Sequence, residues 1–325
     1  MDSSHIQNEN LKLSESIKAE ALRLGFYACG ISPAQEVDEN HQKAFRNWIE
    51  NNEHADMAYM ANHYDKRMNP SLLTNQAKSV ISVALNYYPQ KKIEAPQYEF
   101  AWYAYGEDYH TVMKDKLTAL MTFIKGISPQ TEGRAFCDTA PLLERYHAWR
   151  GGLGWIGKHT QLIIPHAGST FFLGELVIDR TLAYDTPKPN RCGNCTRCLE
   201  ACPTGALHEP YRLDARRCLS YLTIENRGKI PTEATQRMGS CIYGCDRCQQ
   251  ACPWNRFATP CTEPRLQPKP EFLNMSPGDW QQLSVEHYRT LFKGSAVKRA
   301  KYEGLMRNIT CVTRTIPHTE KDIKK

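Results

Sequence analysis

Nine cysteines within residues 192–252 carry the strongest chemical signal in this chain. The first run of these cysteines reads Cys192-x2-Cys195-x2-Cys198-x3-Cys202-Pro203. In bacterial ferredoxins this spacing lets three thiolates bind one [4Fe–4S] cluster, while the fourth thiolate binds a second cluster. Zinc sites also use closely spaced cysteines, but they normally present them as separate pairs. The run therefore predicts iron–sulfur ligation.

The second run of cysteines nearly repeats the first. It reads Cys241-x3-Cys245-x2-Cys248-x3-Cys252-Pro253, and Cys218 lies between the two runs. Nine thiols thus compete for the eight ligand positions of two clusters. The ferredoxin crossover assigns one cluster to Cys192, Cys195, Cys198 and Cys252. The other cluster takes Cys202, Cys245, Cys248 and either Cys218 or Cys241, and the spacing leaves that choice open.

Two neighbouring clusters conduct electrons and do not by themselves make or break bonds in a substrate. A simple ferredoxin needs neither the long region before Cys192 nor the basic segment after Cys252. We therefore expect a catalytic domain that receives electrons from the clusters.

Asp138 is the candidate acid of that domain. It lies in the segment Cys137-Asp138-Thr139-Ala140-Pro141, between a short apolar piece and a predicted helix. Capping of the helix is the simpler interpretation. The alternative is a general acid at the end of a strand, with a pKa that an apolar cleft would raise. The residues alone leave both interpretations open.

Two further segments resemble ligand-binding motifs incompletely. Residues 151–159 contain G-x4-G-K, but a helical stretch precedes them and His159 replaces the Ser or Thr of a phosphate loop, which excludes a nucleoside triphosphate site. The glycines permit either close approach to a large flat ligand or a tight structural loop. Asp108-Tyr109-His110 resembles the start of a cobalt-ligating D-x-H-x-x-G motif, but Met113 replaces its glycine. We expect His110 to cap or pack at the start of a helix.

The elements that position these residues follow from hydrophobic periodicity. Residues 6–24 and 109–125 predict helices, and Gly25 is a stop signal after the first of them. Residues 80–85 predict a buried strand. Residues 161–164 and 171–178 predict two strands joined by a glycine-containing turn, and 285–305 predict one or two short helices.

Composition bounds the class of protein. With 41% hydrophobic and 23% charged residues the chain is typical of globular proteins, and thirteen cysteines, an odd number, do not fit a disulfide scaffold. Residues 1–10 are polar and no apolar run reaches the roughly 18 residues of a membrane span, so we expect a cytoplasmic protein without membrane contact. Residues 289–325 hold ten Lys and Arg against three Asp and Glu. That segment suits either a polyanion such as RNA or a solvated basic end.

Proline-rich stretches suggest the domain boundaries. One stretch, 186–190, leads into the cysteines, and another, 260–270, follows them. We therefore divide the chain into a catalytic domain at 1–185, a two-cluster domain at 186–260, and a linker with a short basic helical tail at 261–325.

Several segments together resemble epoxyqueuosine reductases, the cobalamin- and iron–sulfur-dependent family that completes queuosine on tRNA. The matching segments are 103–110 (YAYGEDYH), 138–145 (DTAPLLER), 154–158 (GWIGK), 192–207, 217–225 (RCLSYLTIE) and 243–249 (YGCDRCQ). The resemblance covers most of the chain up to about residue 308.

The resemblance implies an α/β cobalamin-binding domain like that of reductive dehalogenases, followed by a two-[4Fe–4S] ferredoxin-like module and a short helical C-terminus. The implied reaction is reduction of epoxyqueuosine to queuosine in the anticodon loop of tRNA by cob(I)alamin. The implied partners are that tRNA and a low-potential donor such as flavodoxin or ferredoxin, and we expect a monomer. Electrons pass through the two clusters, and Asp138 matches the family's proton donor.

The resemblance also implies roles for further residues of the site. It assigns Cys218, in the family's R-C-x-S-Y motif, as the cluster ligand in place of Cys241. The implied contacts to the corrin are Tyr109, His110, Asp138, Gly154, Lys158, Thr160, Ser220, Tyr221 and Asp246. Longer family members continue past the match to 294–308 into a repeat of short helices that helps grip tRNA. This chain is expected to lack that extension, and its basic tail is a partial substitute or a frayed end.

Two other functions compete with this interpretation. One is a corrinoid reductive dehalogenase acting on a small molecule, although such enzymes usually carry an export signal that residues 1–10 do not resemble. The other is a ferredoxin-type electron carrier whose N-terminal domain is a docking surface.

Overall fold

The computed structural model of the protein describes residues 3–93 and 98–315. Its strands are β1 (Ala28–Pro33), β2 (Ser79–Asn86), β3 (Glu99–Phe100), β4 (Gly133–Phe136), β5 (Trp155–Ile156), β6 (Leu162–Ile163), β7 (Phe171–Ile178) and β8 (Cys241–Tyr243). Its helices are α1 (Ser3–Arg23), α2 (Glu39–Glu50), α3 (Ala58–Ala61), α4 (Tyr64–Met68), α5 (Tyr109–Ile127), α6 (Glu144–Arg150), α7 (Arg197–Glu200), α8 (Leu219–Ile224), α9 (Thr232–Arg237), α10 (Arg247–Gln250), α11 (Pro270–Asn274), α12 (Pro277–Gln281), α13 (Val285–Leu291) and α14 (Lys301–Thr315). These elements match the predicted class, a mixed α/β region followed by the cysteine segment and a helical C-terminal part.

A four-stranded antiparallel sheet forms the centre of the N-terminal region, in the order β1-β2-β7-β4. Strand β2 is apolar on both faces, and each face packs against a different set of helices. Its Ile81 and Val83 belong to the cluster formed with α1 and α5, whereas its Ala84 packs with Ala148 of α6. Because both faces are covered, a strand such as β2 has no solvent side and reads as a continuous apolar run.

Four local predictions agree with the structure. The first helix is α1, and Gly25 follows it in a left-handed conformation at φ 91° with its N–H bonded to the Leu22 carbonyl, as at many helix ends. The predicted buried strand is β2, and the helix predicted over 109–125 is α5. The two short helices expected within 285–305 are α13 and the beginning of α14, separated by a 3-10 turn at Ala296–Ala300.

The two strands predicted at 161–164 and 171–178 are β6 and β7, but they do not pair with each other. Strand β6 pairs with β5, whereas β7 lies between β2 and β4 in the central sheet. The turn between them contains one isolated bridge, between Ile164 and Gly168. A strand that is apolar on both faces, such as β7, is stabilised more by a central position than by a hairpin at the edge.

The C-terminal part has its own core, which a segment from the N-terminal region completes. Strand β3 pairs in parallel with β8, and Phe100 of β3 packs against Phe272, Trp280 and Phe292. Helix α14 contacts β8, α8, α9 and α12. No helix within the described ranges is long and apolar enough to cross a membrane.

Asn308 joins three elements of this core. Its side chain is fully buried, and its amide donates to the carbonyl oxygens of Thr223 in α8 and Ile242 in β8, both at 2.8 Å. Two buried carbonyl groups therefore depend on one side chain of α14.

We expect Asn308→Ala to lower the free energy of unfolding by about 2–4 kcal/mol, because it leaves two buried carbonyl groups without a donor. The measurement is the midpoint of thermal denaturation under anaerobic conditions. Thr310→Ala is the matched control on the same helix, because the Thr310 hydroxyl is exposed and bonds only the Met306 carbonyl of its own helix. Equal midpoints for the two variants would contradict the role assigned to Asn308.

Candidate active site and cluster ligands

Asp138 lies in a tight turn that begins directly after β4. Its φ is 57°, in the left-handed region that residues with a side chain rarely adopt, at a cost on the order of 1 kcal/mol. Helix α6 begins only at Glu144, and Leu143 is its N-cap, so the capping interpretation of Asp138 is wrong. The strand-end interpretation describes the position correctly.

The first turn of α5 supplies the groups that surround the Asp138 carboxylate. The Tyr109 hydroxyl donates to Asp138 Oδ2 at 2.5 Å, and His110 Nε2 lies 3.5 Å from the same oxygen. Asp108 caps α5 and holds His110 in place, since its Oδ1 contacts both the backbone N–H and Nδ1 of His110, the latter at 2.7 Å. The Tyr109 ring stacks on Phe172 of β7 at 4.4 Å. These contacts fix the carboxylate relative to the central sheet.

The electrostatics of Asp138 differ from the prediction of a raised pKa. Its side chain is 60% exposed, and its pKa is lowered, chiefly by the hydrogen bond with His110. Hydrogen bonds with Asp108 and then Asp138 raise the pKa of His110 to about 9. The prediction assumed an apolar cleft, whereas the structure surrounds the carboxylate with a cation and hydrogen-bond donors. At neutral pH the pair is a carboxylate next to an imidazolium.

Glu144 is a second carboxyl group at this turn, and the sequence interpretation assigned it no role. The backbone N–H of Asp138 donates to Glu144 Oε1. Burial, and then the charge of Asp138, raise the pKa of Glu144 to about 8. Sequence reasoning could have identified Glu144 from its position in the segment 138–145, six residues after Asp138 and at the start of the predicted helix.

The glycine segment 151–159 is a tight structural loop, the second of its two interpretations. A Cβ on Gly154 would lie 2.0 Å from the Ile163 carbonyl oxygen, so this glycine allows β5 to approach β6. Lys158 Nζ donates to the carbonyl oxygens of Gly193 and Cys195, at 2.7 and 3.0 Å. This lysine supports the first cysteine run.

Thr160 and His159 connect that loop with the acid. The Thr160 carbonyl accepts a hydrogen bond of 2.7 Å from Arg145, the neighbour of Glu144 in α6. His159 is 2% exposed, and its Nε2 has no hydrogen-bond partner among the described residues. The segment 158–160 thus lies between the Asp138 turn and the first cysteines.

The other proposed corrin contacts bond to different segments. The Tyr221 hydroxyl donates to Asp56 at 2.7 Å, and the neighbouring Ser220 is partly buried in α8. Asp246 accepts a hydrogen bond of 2.7 Å from the Trp102 N–H, and burial raises the pKa of Asp246 to about 6. The structure therefore joins Tyr109, His110 and Asp138 directly, and shows no bond between them and these three residues.

The thiols converge in two sets of four. Burial and the neighbouring thiolates of Cys192 and Cys195 raise the pKa of Cys252. Cys198 in turn lies next to Cys252 and Cys192. Burial and three neighbouring thiolates raise the pKa of Cys248. Those three neighbours are Cys218, Cys245 and Cys202.

Cys241 adjoins Cys245 of the second set. It is 2% exposed, and the hydrogen bond with Cys245 and then burial raise its pKa. No three His, Cys, Asp or Glu side chains in the described parts of the chain converge on a single metal ion. That is compatible with clusters, since each thiolate of a [4Fe–4S] cluster binds a different iron.

Comparison with known proteins agrees with this arrangement. The family model described as a 4Fe-4S double cluster binding domain matches residues 191–255, and the model described as epoxyqueuosine reductase QueG matches 67–139. Epoxyqueuosine reductase from Cellulophaga algicola is 46% identical over 302 residues, which cover 93% of this chain and 98% of the relative.

Solved structures of such enzymes superpose on most of the chain. An epoxyqueuosine reductase with an epoxyqueuosine-modified tRNA-Tyr stem loop is 29% identical at a TM-score of 0.86, covering 94% of this chain and 81% of that one. The Bacillus subtilis enzyme, with its catalytic aspartate loop swung out of the active site, is 28% identical at a TM-score of 0.85, covering 94% and 82%. These matches extend over nearly the whole chain, including the Asp138 turn and both cysteine sets. This protein therefore belongs to the epoxyqueuosine reductase family.

Proposed function

We propose that this protein reduces the epoxide of epoxyqueuosine in tRNA to the alkene of queuosine, with Asp138 as the group that protonates the leaving oxygen. The observation that carries the proposal is the Asp138 turn beside Tyr109 and His110, in a chain 46% identical to an epoxyqueuosine reductase over nearly its whole length. The reaction is a two-electron reduction, which is why it needs both a relay for electrons and a source of protons.

The two cysteine sets are the proposed electron relay. We assign Cys192, Cys195, Cys198 and Cys252 to one [4Fe–4S] cluster, and Cys202, Cys218, Cys245 and Cys248 to the other. The proximity of Cys218 to both Cys245 and Cys202 supports its assignment, whereas the thiol neighbour that most strongly shifts the pKa of Cys241 is Cys245. A low-potential protein such as flavodoxin or ferredoxin is the proposed electron donor.

Cobalamin is the proposed organic cofactor, and when bound it supplies the low-potential nucleophilic cobalt that this reduction requires. The residues fit a group between the acid and the clusters. Asp138 is accessible, the segment 158–160 connects its turn with Cys195, and His159 Nε2 is buried without a partner there. Tyr109, His110 and Thr160 are the side chains proposed to hold it, with Ser220, Tyr221 and Asp246 as contacts from the cluster segments.

The chain's own residues have defined tasks in this mechanism. Tyr109 and His110 orient the Asp138 carboxylate, and the stacking of Tyr109 on Phe172 keeps that orientation rigid. The imidazolium of His110 stores a proton 3.5 Å from Asp138 Oδ2. Asp138 passes this proton to the epoxide oxygen as a C–O bond breaks, which avoids the formation of a free alkoxide.

The proposed substrate is the anticodon stem loop of a tRNA, because a relative of the same fold has been solved with such a stem loop. Arg289, Lys293 and Lys298 are exposed and suit contacts to phosphates. Two other basic residues of the same segment have structural roles. Arg299 bonds both oxygens of Glu225, and Arg307 bonds backbone carbonyls near Asn226. We propose a monomer that acts in the cytoplasm, where tRNA is modified.

The direct test is turnover by anaerobically reconstituted protein. It should contain about eight irons per chain and bind cobalamin, and with a strong reductant it should convert epoxyqueuosine in tRNA to queuosine, measured by nucleoside mass spectrometry. Fully loaded protein that yields no queuosine would refute the proposed function.

Asp138→Asn should keep both clusters and cobalamin but lower turnover by about 10²–10⁴-fold, because the amide has no proton to deliver. Iron content, the absorption spectrum and single-turnover rates measure this. Asp65→Asn, an exposed carboxylate on α4, is the matched control and should behave as wild type. Wild-type turnover by Asp138→Asn would remove Asp138 from the proton path.

Cys241→Ala should retain about eight irons, because Cys241 is not needed as a ligand, whereas Cys218→Ala should retain about four. Iron and sulfide analysis with electron paramagnetic resonance of the reduced protein measures this difference. The reverse result would assign Cys241, and not Cys218, to the second cluster.

A further inference from the structure

The proposed reaction needs more protons than Asp138 holds. Conversion of an epoxide to an alkene breaks two C–O bonds, forms one C=C bond and consumes two electrons, and the oxygen leaves as water after taking up two protons. The carboxyl group of Asp138 carries one proton at a time. If the proposed function is correct, a second proton must reach the same oxygen before water departs.

Glu144 is the second carboxyl group bonded to the turn that carries Asp138. Its carboxyl group accepts a hydrogen bond from the Asp138 backbone N–H, so the turn that carries the acid is tied to it. It begins α6, whose buried Ala148 packs on the central sheet, so its position is fixed by the fold. The fixed contact places two carboxyl groups of different environment at one turn, the exposed one at Asp138 and the sheltered one at Glu144.

Glu175 lies behind Glu144 within the central sheet. It is 0% exposed, it faces Ser82 on β2 and Phe136 on β4 in the strand register, and no cation of the described residues bonds its carboxyl oxygens, although the Ser82 hydroxyl acts to lower its pKa. Burial, and then the charge of Glu144, raise its pKa. A buried carboxyl group without a hydrogen-bonded cation is stable only when it is protonated. The protein therefore holds a protonated carboxylic acid in its core. The residue that pairs with Glu175 on β4 is Phe136, two positions before Asp138.

We propose that Glu144 is the second proton carrier of the active site, acting through Asp138, with Glu175 as the buried acid behind it. In the first transfer Asp138 delivers the proton held by His110, and one C–O bond breaks. In the second transfer Glu144 protonates the Asp138 carboxylate again, and Asp138 delivers that proton as the second C–O bond breaks and water leaves. Glu144 and His110 then regain protons from solvent.

The charged neighbours of Glu144 set the pH at which it can act. The Asp138 carboxylate favours its protonated form, while Arg145 and His110 oppose it. Burial is the main cause that raises the pKa values of Tyr109 and Cys137, so both stay neutral. With a pKa of about 8, Glu144 holds its proton below pH 8 and loses it as the pH rises above that value. The part of the turnover rate that depends on proton transfer from Glu144 is therefore present below pH 8 and falls above it.

The test compares the pH dependence of turnover by fully loaded wild-type protein and Glu144→Gln. The glutamine keeps the acceptor for the Asp138 N–H but has no proton to release. At pH 7 we expect kcat to fall roughly tenfold to a hundredfold with little change in KM. The decline of the wild-type rate near pH 8 should be missing from the variant. Glu132→Gln is the matched control, because Glu132 is exposed and pairs only with Lys125 on the surface.

An infrared titration of the loaded protein gives a readout that does not depend on turnover. Wild-type protein should show the carbonyl band of a protonated carboxylic acid that disappears as the pH rises through about 8, and Glu144→Gln should lack this change. Asp138→Asn should move the transition to lower pH, because it removes the negative charge that raises the pKa of Glu144. A Glu144 that is ionised throughout this pH range would produce neither effect, and the pH dependence of turnover then separates a proton carrier from a structural acid.

Two outcomes would overturn the inference. One is a Glu144→Gln enzyme with the wild-type rate and the wild-type decline near pH 8. The other is the absence of a carboxyl transition in that range from the wild-type infrared titration, which applies even where Glu144→Gln fails to load its cofactors. Wild-type protein that shows the transition but makes no queuosine would instead refute the proposed function.

Discussion

The turn at Asp138 is the constraint on which the chemistry of this protein depends. A residue with a side chain is held in the left-handed region of backbone conformation, between the end of β4 and the start of α6. Its carboxylate is bonded by Tyr109 and adjoins His110, and its N–H is bonded by Glu144. Such a conformation persists only when surrounding contacts stabilise it, and here those contacts come from the same side chains that we propose as proton carriers. In the Bacillus subtilis relative the catalytic aspartate loop has been seen swung out of the active site.

The rest of the fold connects that turn with the cysteines. The central sheet carries α5 and α6 on opposite faces, so that the Asp138 turn at its edge receives side chains from both helices. Lys158 and the Arg145 contact to Thr160 connect the turn with the first cysteine run. On the other side, β3 crosses to pair with β8, next to the second run. The acid and the thiols are thus positioned by one continuous set of contacts.

The carboxyl groups near the Asp138 turn lie in two kinds of electrostatic environment. Around Asp138 a cation and hydrogen-bond donors stabilise the ionised carboxylate, whereas Glu144 and Glu175 lie in surroundings that favour the protonated form. Carboxyl groups with opposite environments at short range are a recurrent way to separate the storage of a proton from its delivery. The basic C-terminal segment shows a similar division, since Arg299 and Arg307 stabilise the fold while Lys293 and Lys298 face solvent.

The sequence by itself determined the features that depend on spacing. Cluster ligation follows from cysteine intervals, and α1, α5 and β2 follow from hydrophobic periodicity, because both are local properties of the chain. Asp138 was also identified as a candidate acid, but its pKa was predicted in the wrong direction and Glu144 was missed. Both depend on α5 and α6, which the fold brings to the turn from other parts of the chain. The pairing of β7 was likewise decided by the sheet, since an isolated apolar strand does not specify its neighbours. Only the tertiary structure determines which charges surround a carboxyl group, and those charges decide whether it keeps or gives up a proton.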